Sequence, residues 1–402
     1  MVQGLEDYSK YMCGRETQIP LRITPEFIEA AIYHIEHIDK NCGYQARAKF
    51  NAAQRWIKAI KNNEFVWLGI SGAATPVGIG GLIADMISEG LIDAIVSTGA
   101  NIYHDEHFAY GLPVRHGSDK VDDNDLRKDE TTRIYTQFIH NKYTLKAQDM
   151  INQRLGKKIF KRLKQPFSTA ELLHELGKEI LNDDSAIDKK GSFLARAAEY
   201  NVPIFLDSSS NHSLAMDFST LFLEDYHVDP SPSKDIIQAS ALSMYTQPQV
   251  NIFLGEGGPR NFVQTTAPTA CEIFNIPFEG SAGCIRFTTA DVRTGGLSGS
   301  TESEAVSWGK YIDTKEEREI EIWGEYTLTA PDVFGYVAGK SSRTPRELMN
   351  RIKYIEEEFL NRIKEHEKDR TNSQKAIEEK LKEIIRQEKT ARERAGYNFD
   401  AL

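Results

Sequence analysis

Cysteine is scarce in this chain, with four in 402 residues at Cys13, Cys42, Cys271 and Cys284, none at CxxC spacing. That scatter suggests neither a zinc site nor a disulfide framework, and a reduced, cytoplasmic protein is the expectation. Positive charge is in deficit as well. A formal net charge of -10 and an isoelectric point near 5.6 argue against a nucleic-acid partner, which calls for a concentrated basic face, and suit a cationic substrate better. No apolar run approaches the length that crosses a bilayer. The N-terminal stretch MVQGLEDYSKYMCGRETQIP lacks a basic segment followed by an apolar one, so neither a membrane partner nor a processed leader is expected. The dinucleotide fingerprint GxGxxG is missing, and so is an acidic residue about twenty positions beyond a glycine loop.

What is present is a recurring alternation. FVWLGIS (65–71), DAIVSTGAN (93–101), NVPIFLDSSSNHS (201–213), QVNIFLGEGGPRNF (249–262) and CIRFTTAD (284–291) are apolar runs that end in Gly, Ser, Thr or Asn, with helical stretches between them. REIEIWGEYTLTAPDVFGYV supplies a last strand, turn and helix. Strand, small-residue loop, helix, strand is the pattern of a βαβ unit, so the spacing predicts an α/β fold with a Rossmann-like, doubly wound, mainly parallel sheet and flanking helices. Ligands of such sheets bind beyond the carboxyl ends of the strands.

Three regions follow: a helical N-terminal entry (1–64), an α/β domain (65–342) and a charged helical tail (343–402). The entry rests on apolar spacings at Phe27, Ala31, Ile35 and Ile38 and at Ala53, Trp56, Ile57 and Ile60. The tail carries a sparse apolar stripe at Leu348, Ile352, Ile355, Phe359 and Ile363, then Ile377, Leu381, Ile384 and Ile385, and reads as one or two long helices, docked at first and then solvated. Residues 117–165 read as a solvated helical connection without chemistry.

Lys310 is the candidate centre. A helix beginning at Glu304 would set Glu304, Trp308 and Tyr311 on one face and Ser307 beside Lys310. A lysine that does covalent chemistry needs a dry pocket or a neighbouring cation to stay neutral. The plain alternatives are a surface lysine on an ordinary helix and a Trp308 packed into the core.

WLGISGAATPVGIGGLIADMISEGLIDAIVSTGANIYHDEH, the GEGGPRNF loop, FTTAD and above all SEAVSWGKY resemble the deoxyhypusine synthase family over roughly residues 60–340. The resemblance implies an NAD-dependent transferase, a homotetramer with active sites shared between paired subunits, and a polyamine substrate. Lys310 would take an aminobutyl group from spermidine as an imine and pass it to an acceptor amine. Trp308 would line the polyamine methylenes and Glu304 would pair with an ammonium. For NAD, the resemblance points to Gly72 and Ala73 in the loop to Gly78, to Ser97, Thr98 and Gly99, to Gly257 and Gly258, to Thr289 and Ala290, to Gly295, and to Glu325 near the adenosine ribose.

Six residues, at four places in the chain, depart from the family's pattern. Tyr103 and His104 stand where a glutamate pair is usual. Asn261 stands at the place of a proton-transferring histidine, Thr294 and Leu297 replace aspartates, and Asn211 replaces another. These departures resemble the bacterial deoxyhypusine synthase-like branch, and they imply retained imine transfer with altered amine recognition. His104 or His107 is a candidate for proton transfer, or else a surface histidine. The expected product is homospermidine from a small diamine such as putrescine, ahead of a modified lysine on translation factor 5A. An NAD-consuming deacylase and an inactive NAD-binding scaffold are the readings from other classes.

Overall fold

The computed structural model describes residues 9–312 and 319–396. Helices α1 (Pro25–Asn41) and α2 (Tyr44–Lys61) lead into strand β1 (Phe65–Ile70), and α3 (Gly80–Ser88), β2 (Ala94–Ser97) and α4 (Gly99–Ala109) follow. Next come β3 (Val114–His116), α5 (Asp123–Lys128), β4 (Thr131–Ile134) and β5 (Gln137–His140), then α6 (Lys146–Ile159), α7 (Thr169–Asn182), α8 (Phe193–Glu199) and β6 (Ile204–Leu206). The chain continues through α9 (Ser213–Phe222), α10 (Pro232–Tyr245), β7 (Gln249–Leu254), α11 (Gly258–Pro268), β8 (Gly283–Thr288) and α12 (Glu302–Ser307). It ends with β9 (Glu319–Trp323), α13 (Tyr326–Thr329), α14 (Pro331–Lys340) and α15 (Ile352–Arg394).

Six strands form one sheet in the order β6-β2-β1-β7-β8-β9, and every neighbouring pair is parallel. The strands of this sheet therefore run 3-2-1-4-5-6 by their own sequence order. Parallel strands buried on both faces must be apolar throughout, and β1 obeys: Val66, Leu68 and Ile70 join the core under α1, α2, α3 and α14, while Phe65 and Trp67 join a second core with α10, α11 and the start of α15. Local signals fix the helix starts. Thr24 caps α1 by accepting from the Phe27 N–H at 3.2 Å, with Pro25 at the first helical position, and Ser168 and Glu171 form a reciprocal capping box on α7. The N-terminal helices pack as part of the main core, against α14 and the sheet.

One expectation changes. Residues 117–165 are not simply a helical connection, because β3, β5 and β4 make a second, antiparallel sheet before α6 begins. Among the described residues the charged tail carries one long helix of 43 residues, α15, in keeping with the one or two expected. Its root is docked by Arg343 and Arg346, which pair with buried Asp93 beneath β1, and by Ile352, Ile355 and Phe359 in the core. Ile377, Leu381, Ile384 and Ile385 are exposed.

Candidate active site

Lys310 is positioned by its backbone before its side chain. Thr301 caps α12 by accepting from the Glu304 N–H at 3.1 Å. The helix then stops after one and a half turns, because Gly309 takes a left-handed φ of +66°. The N–H groups of Gly309 and Lys310 donate to Val306 and Ala305 carbonyls at 2.9 and 3.1 Å, a Schellman closure. The Lys310 carbonyl accepts from Ser281 at 3.0 Å, and Tyr311 bridges to Ser281 in parallel register at the foot of β8. Gly280 lets this approach happen, since a Cβ there would meet the Lys310 carbonyl oxygen at 2.6 Å.

The expected helix through Tyr311 is therefore corrected. Lys310 lies past the helix end, and its neighbours part company. Tyr311 turns inward, its hydroxyl accepting from Gln264 at 3.0 Å and Asn251 at 3.3 Å, whereas Trp308 is 64% exposed and so is not a core residue. The Lys310 Nζ donates to Asn261 Oδ1 at 3.3 Å and lies 6.0 Å from the Trp308 ring centroid. Partial burial, helped by the positive Arg260, holds its pKa below the ordinary lysine value, against the pull of Glu304 and Glu302. Glu304 and Leu297 are exposed.

Beneath the lysine lies a group that sequence reading passed over. Arg260 donates to Glu256 at 2.7 Å and to Glu302 at 3.0 Å; Arg286 donates to the same two carboxylates at 2.5 and 2.9 Å, closing a ring of four buried charges. Glu319 also pairs with Arg286. Burial and the adjoining Glu319 carboxyl push Glu302 up, and the two arginines pull it down. The only sequence signal was the i,i+4 spacing of Glu256 and Arg260.

The cofactor candidates gather at the carboxyl edge of the sheet. The Thr98 hydroxyl donates to the Gly72 carbonyl at 2.7 Å, joining the loops after β2 and β1, and Tyr326, following Glu325, donates to the Ser71 carbonyl at 3.2 Å. Gly257 has φ +74° with open space where a Cβ would point, and a Cβ on Gly258 would strike Asp207 at 2.1 Å. Ser97 is buried at the end of β2, and Ala73, Thr289 and Ala290 lie in the loops after β1 and β8, Thr288 supporting Ala290 N–H at 3.0 Å. Gly99 opens α4 against the ring of His212, which caps α9 through Nδ1 at 3.1 Å. Gly295 lies in an exposed loop, Asn211 is exposed after β6, and Glu325 is exposed as the cap of α13.

Tyr103 and His104 are not joined to Lys310 by any hydrogen bond or ring contact among the described residues. The Tyr103 hydroxyl donates to Asp149 at 2.8 Å, and His104 Nδ1 lies 3.0 Å from His107 Nε2. Neither histidine is a surface group: burial lowers His104 to about 4, and burial together with the neighbouring His104 holds His107 well below the ordinary imidazole value.

The site thus presents a half-buried amine held from α11 on a wound, parallel α/β sheet. The chain belongs to the deoxyhypusine synthase family, whose sequence model matches residues 35–337. A deoxyhypusine synthase-like protein of Nostoc punctiforme is 32% identical over 336 residues, 82% of this chain and 85% of that one. A Methanosarcina acetivorans protein named "Probable deoxyhypusine synthase 2" is 30% identical over 72% of this chain and 82% of its own length. A crystal structure from Entamoeba histolytica under the same family name shares the fold, with a TM-score of 0.50 and 13% identity over 77% of this chain and 94% of that one. Membership makes this a transferase-family chain, of the bacterial deoxyhypusine synthase-like branch, in a family built for aminobutyl transfer from spermidine.

Proposed function

We propose that this chain is an NAD-dependent aminobutyl transferase that carries the group from spermidine on Lys310 and delivers it to a small diamine, giving homospermidine. The observation that carries the reading is the Lys310 amine, partly desolvated and held at Asn261 beside an exposed tryptophan.

The carboxyl edge suits NAD. The strand order is that of dinucleotide-binding sheets, the loops after β1 and β7 flank the point where the order reverses, and the N-terminus of α11, which follows β7, favours diphosphate. Open space beyond Gly257 leaves room for close backbone approach. Gly72, Ala73, Ser97, Thr98, Gly99, Gly257, Gly258, Thr289, Ala290, Gly295 and Glu325 are the residues that would hold it. Bound there, NAD supplies a reversible store for the hydride taken from the carbon beside the secondary amine.

The protein's own residues do the rest. Neutral Lys310 adds to the oxidised carbon, the bond to the departing nitrogen breaks, and 1,3-diaminopropane leaves with the proton. The acceptor amine then displaces Lys310 in the same way, and the stored hydride, returned to the new carbon–nitrogen double bond, would leave the saturated secondary amine of homospermidine. Asn261 is a neutral amide, so it orients the amine rather than titrating with it. Trp308 offers a wall to methylenes and to cations, and Glu304 a counter-charge to an ammonium. With Trp308 and Leu297 open to solvent, a second copy closing this side fits the tetramer expected of the family.

Incubation with NAD, spermidine and putrescine, followed by mass spectrometry, should give homospermidine and a borohydride-trapped adduct on Lys310. Modification of a translation factor 5A lysine, with putrescine ignored, would favour the deoxyhypusine synthase reading carried by the Methanosarcina relative's name. No product with any amine and no adduct would leave an inactive scaffold.

A further inference from the structure

The ring of buried charges adjoins the carrier lysine through two elements at once. Arg260 is the residue before Asn261 in α11, and Asn261 takes the Lys310 Nζ hydrogen bond. Glu302 opens α12, whose closing turn fixes the Lys310 backbone through Ala305. The Arg260 to Glu302 pair, 3.0 Å long, is thus a strut between the element that holds the amine and the element that carries it. Arg260 also donates to the Ser300 carbonyl at 2.8 Å, just ahead of the α12 cap. Both side chains of the strut are at most 1% exposed, so water screens them little.

Resting on the reading of Lys310 as the carrier amine, we propose that Arg260 is its positioning residue. Its ion pair with Glu302 sets α11 against α12 so that Asn261 meets the amine, and its positive charge adds to burial in favouring the neutral amine. The groups facing Lys310 are Arg260 from α11 and Glu302 and Glu304 from α12; behind them stand Glu256, Arg286 and Glu319, while Cys271 borders Gly309. Arg260 acts against both glutamates. Burying a full ring here, where a lysine must remain neutral, places one fixed cation near the amine while Glu256 and Glu302 hold that cation still.

The test needs neither NAD nor polyamine, so it stands or falls apart from the transferase reading. The full-length protein is reductively methylated with limiting formaldehyde and cyanoborohydride across a pH series, and Lys310 labelling is compared by peptide mass spectrometry with an exposed lysine of α15, Lys382. In the wild type, the Lys310 midpoint should lie below that of Lys382. Arg260→Gln should raise it, and each unit of rise means about tenfold less free amine at a fixed pH below it. Glu302→Gln should lower it further, because the anion is lost and the cation kept. Arg260→Lys should stay near the wild type. Simple loosening of the fold would move Arg260→Gln and Glu302→Gln in the same direction, toward Lys382, and that result overturns the proposal, as does a wild-type midpoint equal to that of Lys382. If Arg260→Gln fails to fold, the direction of the Glu302→Gln shift decides alone.

Discussion

Lys310 and Asn261 are joined by one hydrogen bond of 3.3 Å, the lysine amine donating to the amide oxygen. An amide neither attracts nor repels a proton as a charged group does, so its replacement by an acid is a clean perturbation. Asn261→Asp puts an anion at that distance, which favours the ammonium and raises the Lys310 pKa. The pH–rate profile of adduct formation should move to higher pH by about one unit or more, with roughly tenfold less adduct at neutral pH. An unmoved profile would separate Asn261 from the amine.

Trp308 is exposed just before the turn that closes α12. Because it buries little, Trp308→Ala should change the urea midpoint by no more than about 0.5 kcal/mol of stability. The KM for spermidine should rise severalfold. Loss of stability with KM unchanged would assign the ring to packing or to a subunit contact.

Gly257 holds φ +74° and ψ -134° at the start of α11, a conformation open to glycine and costly by about 1–3 kcal/mol for other residues. No atom lies within 4 Å of an added Cβ, so Gly257→Ala acts through the backbone. Calorimetric titration should show NAD binding weakened by about tenfold or more, with Lys310 methylation unaffected. Equal NAD affinity would move the cofactor away from this loop.

Asp235 accepts from both the N–H and the hydroxyl of Thr169, at 2.7 and 3.0 Å, through the same oxygen. Burial pushes its carboxyl up to about 7. The folded state therefore holds the proton more tightly than the unfolded chain, and the stability gained by that proton is full below about pH 4 and is lost as pH rises through about 7. Asp235→Asn keeps both bonds through its amide oxygen and does not titrate. Its stability relative to wild type should rise between about pH 4 and pH 7 and level off above. A pH-independent difference in urea midpoints would contradict the raised value.

The main sheet was legible because its strands are largely apolar runs closed by small residues, as in Phe65–Ile70 and Ala94–Ser97. The hairpin of β4 and β5 was not. Its turn is Tyr135 and Thr136, with Tyr135 at φ +50°, and the Asn-Gly or Asp-Gly signal that normally announces such a turn is absent. At the site, the lysine and the carboxyl-edge loops were readable as residue types, whereas the helix stop at Gly309 was passed over, although a glycine there is the usual signal for one. The placing of Tyr103 and His104 toward α6 and His107 depends on tertiary packing. The buried ring was hidden for a different reason: Glu256, Arg260, Arg286 and Glu302 come from separate elements, and charged residues default to the surface unless paired.

The long helix α15 gives the molecule a handle. Beyond Ile363 it runs for about 45 Å at the ordinary helical rise, with nearly every side chain exposed. A rod of that length adds drag out of proportion to its mass, so sedimentation and gel filtration should report a particle larger than the folded body alone. Dyes placed at Lys364 and Lys389 would sit at the two ends of a built-in ruler, and the distance between them would read the stiffness of the helix directly.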